Sequence, residues 1–145
     1  MNGPLKKVVV TGMGVVSPIG STLADFWNSL LAGKSGMGLI TRFDTSDFTT
    51  KIAAEIKGFD PQNYMDRKES RRMDLFCQYA MASAQMAVEN ANLDPEKVDG
   101  NRVAVIVGSG IGGLAVYANQ GVGAPEKGPP PTRPLFSPVT NVEYS

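Results

Sequence analysis

The stretch from Val103 to Gly113 constrains the fold more than any other part of the chain. It opens with five consecutive apolar residues, 103–107, of which three are valine, and then enters four glycines within six positions. A strand that buries one face alternates apolar and polar residues, so this unbroken run predicts a strand that is covered on both faces. A buried strand that ends in a glycine turn is typical of α/β proteins, which place functional groups at the carboxyl edge of their sheet.

A second segment near the N-terminus repeats this design. Residues 5–11 end in three valines and a threonine, and glycines follow at positions 12 and 14. We therefore expect 5–11 and 103–107 to be strands of the same sheet. Alternation of apolar residues also predicts a short strand within 51–56.

Two segments have the apolar spacing of helices. The first places Leu23, Phe26, Trp27, Leu30 and Leu31 on one face. Thr22 is positioned as its N-cap, with Ser21 as an alternative, and Gly33 is positioned to end it. This pattern predicts that Trp27 packs in the core. The second and longest helical pattern runs from Met73 to Ala91, and its wide apolar surface predicts a helix that is buried on most sides.

Composition excludes several classes of function. The 145 residues carry 14 basic and 14 acidic side chains, which removes any bulk electrostatic argument for binding nucleic acid or an anionic membrane. No run approaches the roughly 20 apolar residues that a membrane helix needs, and no signal-peptide pattern is seen, so we expect a cytoplasmic protein. Cys77 is the only cysteine and there is no histidine, so an intrachain disulfide, a cysteine-based metal site and imidazole catalysis are excluded within this sequence.

Two motifs have both a functional and a structural interpretation. Residues 108–113 and 12–17 match the glycine spacing of a dinucleotide-binding fingerprint, but neither is followed by the helix and acidic strand that would confirm it. Cys77 lies about a turn and a half from Arg71 and Arg72, which would favour a reactive thiolate. Because no histidine is present to act as its base, a small core residue is the favoured interpretation.

The charged block 66–72 is the third such motif. A solvated helix start explains it without any function. However, Lys68, Arg71 and Arg72 are spaced three and four residues apart, so a helix would place them on one face. A local basic face on a neutral protein favours docking of an acidic partner.

Four runs, taken together in order and spacing, resemble the β-ketoacyl-acyl-carrier-protein synthases of the chain-elongating type II class. These runs are Val8–Gly20, Phe26–Gly36, Arg67–Asp74 and Gly108–Gly113. The resemblance extends from residue 5 to about residue 129, which corresponds to about the first third of such an enzyme. This implies the N-terminal portion, within 1–120, of a β-ketoacyl synthase domain.

The resemblance implies an α/β fold of the thiolase-like kind, with an incomplete mixed sheet in a layered α-β-α arrangement, which is duplicated and dimeric in the full-length family. It also implies a decarboxylative Claisen condensation that uses neither a metal nor a cofactor. An acyl chain is held as a thioester on a cysteine, malonyl carrier protein loses carbon dioxide, and its carbanion attacks the thioester while two histidines stabilise the negative charge. Acyl carrier protein is the implied partner.

Few functional residues carry over from the family to this sequence. Lys68, Arg71 and Arg72 match the basic positions that hold the carrier protein, and Ile111 matches the apolar side chain that gates the acyl pocket. The cysteine nucleophile and both histidines belong to family segments C-terminal to these residues, and Cys77 does not match the nucleophile. The sequence therefore predicts no catalytic residue here. We expect an inactive fragment of a condensing enzyme or, as the alternative, a non-catalytic fragment that binds carrier protein or pairs with another subunit.

The last segment, 121–145, differs from the rest in composition. It is rich in glycine and proline and keeps no apolar period, which predicts disorder or an extended tail. After Pro129 the sequence no longer follows the pattern of that family. We therefore also consider a change of reading frame or a broken gene model near this residue.

Overall fold

The computed structural model describes residues 7–113. These residues form two compact units: one combines 7–58 with 83–98, and the other combines 59–82 with 99–113. The tail 121–145 lies outside the described residues.

Helix α1 (Leu23–Leu31) lies in the first unit and begins as the sequence predicts. The Thr22 hydroxyl accepts a hydrogen bond from the backbone N–H of Asp25 at 3.1 Å and donates to its carboxylate at 2.8 Å. Gly33, with φ of 62°, follows the end of the helix. The prediction that Trp27 packs in the core is wrong, because 59% of its surface is exposed.

The sheet of the described residues has two antiparallel strands, β1 (Met37–Leu39) and β2 (Ile52–Ala54). β2 confirms the strand predicted within 51–56, whereas β1 has no strand pattern in the sequence. Beyond the sheet, the hydroxyl and backbone N–H of Thr41 both donate to the Glu55 carboxylate, at 2.7 and 3.1 Å. These hydrogen bonds lower the pKa of the Glu55 carboxyl, and the bond from the Thr41 hydroxyl has the larger effect.

Two further helices complete the described fold, α2 (Arg67–Ser70) and α3 (Leu75–Asn90). Short 3₁₀ turns span Pro61–Asn63, Pro95–Lys97 and Gly100–Arg102. α3 confirms the long helix predicted over 73–91, although only its Gln78 and Ala82 are buried. The prediction that it is buried on most sides is therefore wrong for the described residues.

The two predicted central strands are not formed within residues 7–113. Neither 7–11 nor 103–107 takes part in a β-ladder, and their side chains are largely exposed, with Val8 at 94% and Ile106 at 93%. A buried strand is held by neighbours on both sides and by helices on its faces. The described residues supply no such neighbours, so the layered sheet expected from the sequence is not seen here. None of the helices in the described part of the chain is long and apolar enough to cross a membrane.

Gly12 and Gly14 pack closely against the second half of α3, within the first unit. A Cβ atom at Gly14 would collide with the carbonyl oxygen of Ser83 and would lie 2.9 Å from both the Met86 Cβ and the Ala87 nitrogen. The backbone N–H of Met13, between the two glycines, donates to the Asn90 side chain at 3.1 Å. The glycines are therefore explained by the close approach of a helix backbone.

Candidate functional site

The predicted docking residues lie on the basic segment, which we define as residues 67–72. It begins where the Asp66 carboxylate accepts hydrogen bonds from the backbone N–H groups of Lys68 and Glu69, at 2.7 and 2.8 Å. Such an N-cap satisfies helix donors that have no partner within the helix, and it starts α2 at Arg67. Arg71 follows α2 as its C-cap, and the backbone N–H of Arg72 then bonds to the Glu69 carbonyl at 2.9 Å.

The basic segment presents its positive charges to solvent. Lys68, Arg71 and Arg72 are all exposed, and within residues 7–113 none of the three pairs with a carboxylate. The sequence predicted one helical face, whereas in the structure only Lys68 lies on α2 and the two arginines occupy the turn that follows it. The three cations are thus close in the chain and free of internal ion pairs. Their role in docking stays a prediction.

Aromatic contacts support the basic segment from the preceding chain. Phe59 stacks on Tyr64 with ring centroids 5.9 Å apart and meets Tyr79 of α3 edge-on at 4.9 Å. Met65, directly before Asp66, is buried. The edge-on contact between Phe59 and Tyr79 thus joins the segment before α2 to α3.

Gln78 was not predicted from the sequence to be a functional residue. Its side chain is buried, and its Nε2 donates to the backbone carbonyls of Ser70 and Met73 at 2.9 and 3.0 Å. The two acceptors flank Arg71 and Arg72. The available signal was a long polar side chain within the wide apolar surface of the helix predicted over 73–91. A buried amide at such a position must find hydrogen-bond partners.

Ile111, the predicted gate residue, lies in the glycine turn that follows 103–107. Its side chain is 74% exposed, and the turn contains Gly113 with φ of 74°. The structure brings Ile111 into no contact that tests the gating role. That role stays a prediction.

The two alternative motifs gain no support from the geometry. The glycines at 12 and 14 accommodate α3, and the run at 108–113 is not preceded by a β-ladder within the described residues, so neither has the context of a dinucleotide fingerprint. At Cys77, partial burial and then the nearby Asp74 carboxylate raise the pKa of the thiol. A raised pKa leaves little thiolate at neutral pH, which disfavours a nucleophile there.

A shallow cavity of about 440 Å³ lies in the first unit, next to α1. It is lined by the 17–21 turn, by the exposed side of α1 and by Lys34 and Lys57. None of the predicted site residues lines this cavity, so it does not belong to the docking site.

Comparison with known families gives one consistent result. The β-ketoacyl synthase N-terminal domain matches residues 5–140, which extends past Pro129, where we expected the resemblance to end. The chain is 42% identical over 134 residues to 3-oxoacyl-[acyl-carrier-protein] synthase 2 of Synechocystis sp., and 44% identical over 137 residues to the protein of the same name from Vibrio cholerae. These matches cover 92% and 94% of this chain but 32% and 33% of the relatives.

Solved structures agree with the sequence relatives. The structure superposes on the ishigamide ketosynthase/chain length factor with a TM-score of 0.76 at 32% identity, covering 92% of this chain and 33% of that one. A type II polyketide ketosynthase, solved with its acyl-carrier protein, superposes with a TM-score of 0.74 at 22% identity, covering 92% of this chain and 36% of that one, and this likeness shows the fold alone. The chain thus spans about a third of the length of the proteins it matches. From the match over residues 5–140, the chain belongs to the β-ketoacyl synthase family.

Proposed function

We propose that this chain is the N-terminal part of a 3-oxoacyl-[acyl-carrier-protein] synthase and that its own contribution is to dock acyl carrier protein. The observation that carries this proposal is the basic segment, where Lys68, Arg71 and Arg72 are exposed and unpaired within the described residues. The relatives are named for carrier-protein substrates, which gives these cations a natural acidic partner.

The electrostatics of the chain suit such a transient partner. The whole chain has a net charge of zero, so the attraction must come from the local cluster rather than from the protein as a whole. Exposed complementary charges speed association and set orientation more than they raise affinity. Fast, weak and oriented docking is what an enzyme needs from a carrier that must leave after each transfer.

In the complete synthase, the proposed reaction is the decarboxylative condensation of an acyl thioester with malonyl carrier protein. Loss of carbon dioxide leaves a carbanion, this carbanion forms a bond to the thioester carbonyl carbon, and the cysteine thiolate departs. We propose for that complete protein a homodimer with the layered thiolase-like sheet, in which 7–11 and 103–107 become inner strands and Ile111 borders the acyl pocket. Its cytoplasmic location stays a prediction from the sequence.

Binding of an acidic carrier protein by the 145-residue chain is the direct test of this proposal. We expect saturable binding that weakens steadily between about 50 mM and about 300 mM NaCl, because salt shortens the range over which exposed charges interact. Fluorescence anisotropy of a labelled carrier protein, titrated at several salt concentrations, measures this. Binding that does not change with salt would contradict docking through the basic segment.

Catalysis by the same chain is expected to be undetectable. The 145 residues contain no histidine, and their single cysteine has a raised pKa, so they have neither the charge-stabilising groups nor a suitable nucleophile. Release of carbon dioxide from malonyl carrier protein, followed by mass spectrometry of the acyl products, measures both half-reactions. Product formation above the enzyme-free background would refute this prediction.

A second candidate, pairing with another synthase subunit, is favoured by the exposed valine-rich segments 7–11 and 103–107. Such segments are suited to adding a strand to an exposed sheet edge. Mixing the chain with a full-length synthase separates the two functions: docking predicts competition for carrier protein, whereas pairing predicts a stable mixed complex in size-exclusion chromatography.

A further inference from the structure

We infer that Gln78 is a positioning residue for the docking site, because its side-chain amide holds the turn that presents Arg71 and Arg72. This inference rests on the proposed function of the basic segment. It concerns a residue that lies on α3, outside that segment, and whose own side chain is buried.

The side-chain amide of Gln78 makes its two hydrogen bonds in a single orientation. Nε2 of Gln78 donates to the carbonyl of Ser70 at 2.9 Å and to the carbonyl of Met73 at 3.0 Å. Only the NH₂ end of the side chain can donate to a carbonyl, so two carbonyl partners fix which way the amide points. One nitrogen thereby connects the residue before Arg71 with the residue after Arg72.

These hydrogen bonds serve carbonyls that need partners. α2 has only four residues and ends at Ser70, so its last carbonyls find no N–H donors further along the helix. The Ser70 carbonyl also accepts the backbone N–H of Met73 at 3.3 Å, and the Ser70 hydroxyl donates to the Arg67 carbonyl at 3.2 Å. Ser70 is itself buried, so water does not readily replace these bonds.

The result is a fixed turn with exposed side chains. Both arginines reach solvent, while the backbone on either side of them is tied to α3 through Gln78. A ligand that binds a preorganised turn loses less conformational entropy than one that must order it. Removing the amide should therefore weaken docking even though Gln78 does not touch the partner.

The test is the substitution Gln78→Met, which keeps a side chain of similar length and removes both donors. We expect the Kd for carrier protein to rise about threefold to tenfold. Binding to the variant must order one or two side chains that the Gln78 amide otherwise holds in place, and this ordering costs free energy. The matched control is Gln85→Met on the same helix. Among residues 7–113 the exposed Gln85 amide bonds to Glu89 alone, at 2.9 Å, and the Kd should not change.

A double-mutant cycle separates positioning from general loss of stability. In the background Arg71→Ala/Arg72→Ala, Gln78→Met should have no further effect on the Kd, because the side chains that it positions are gone. An equal effect in both backgrounds, or no effect in either, overturns the inference. If Gln78→Met does not fold, Gln78→Asn keeps an amide that is too short to reach both carbonyls, and the same cycle applies.

The cycle also distinguishes this inference from the proposed function. If Arg71→Ala/Arg72→Ala binds carrier protein as tightly as the unchanged chain, then docking through the basic segment is wrong and the inference fails with it. If the double substitution weakens binding but Gln78→Met does not, then only the positioning role is overturned.

Discussion

The double substitution Arg71→Glu/Arg72→Glu is expected to weaken carrier-protein binding about 30-fold or more. The reversal changes the local charge by four units, and at about 0.5 kcal/mol for each exposed charge interaction the loss is ~2 kcal/mol, or about 30-fold in Kd. Most of this loss should appear in the association rate at low salt, because the reversed charges repel an acidic partner before contact. Stopped-flow fluorescence and equilibrium titration measure the rate and the affinity.

Lys34→Glu/Lys57→Glu is the matched control for that reversal. It makes the same change in net charge at two exposed lysines of the other unit. This variant should change the Kd by about twofold or less, because neither lysine belongs to the basic segment through which the carrier protein is proposed to dock. Equal losses in the two double variants would mean that net charge, rather than the basic segment, governs binding.

The substitution Gly14→Ala is expected to lower the free energy of unfolding by about 1–3 kcal/mol, the usual range for overpacking a tight contact. The added Cβ would collide with the Ser83 carbonyl oxygen, and the nearby Ala87 nitrogen belongs to the same helix backbone, so neither can move without bending α3. Urea unfolding followed by circular dichroism measures the change. A shift in the urea midpoint with an unchanged slope would attribute the loss to the folded state.

Gly108→Ala is the control for this second prediction. Nothing lies within 4 Å of a Cβ built at Gly108, and its φ is not in the left-handed region. Its unfolding free energy should stay the same or rise slightly, since alanine restricts the unfolded chain more than glycine does. If Gly14→Ala were as well tolerated as Gly108→Ala, the close packing of 12–14 on α3 would be wrong.

The sequence predicted the helices well because their signals are local. For α1 these signals span one or two turns of chain. Thr22 caps the helix, the apolar spacing runs over 23–31, and Gly33 follows with a positive φ. The long helix ended as predicted for a similar reason: Asn92 adopts a φ of 49° and Pro95 cannot continue a helix.

The sheet was predicted poorly because a strand is defined by its neighbours. The valine runs at 7–11 and 103–107 have the composition of buried strands, yet within the described residues each lacks a ladder partner. Composition indicates that a segment can form a strand when other elements bury it. It does not show that such neighbouring strands and helices are present. The short pair of β1 and β2 shows the converse, since β1 has no strand pattern and forms through pairing with β2.

The charged residues of the candidate site could be predicted from the sequence, but the hydrogen bonds that hold the basic segment in place could not. Lys68, Arg71 and Arg72 could be chosen from spacing and family resemblance, because exposed charge needs no partner in the fold. Gln78 could not be assigned its contacts, since the turn of α2 onto α3 that brings Ser70 and Met73 to its amide is a tertiary arrangement.

The uncovered valine segments have a consequence for how such a chain behaves in a crowded solution. Their β-branched side chains are exposed, and within residues 7–113 the N–H of Val103, which donates to the Gly100 carbonyl at 3.2 Å, is the one backbone group of these segments in a hydrogen bond. The other backbone groups can therefore pair with an extended strand from an identical molecule. Because one chain carries two such segments, we expect its self-association to extend beyond a dimer. Solubility would then depend on how soon after synthesis these segments are covered.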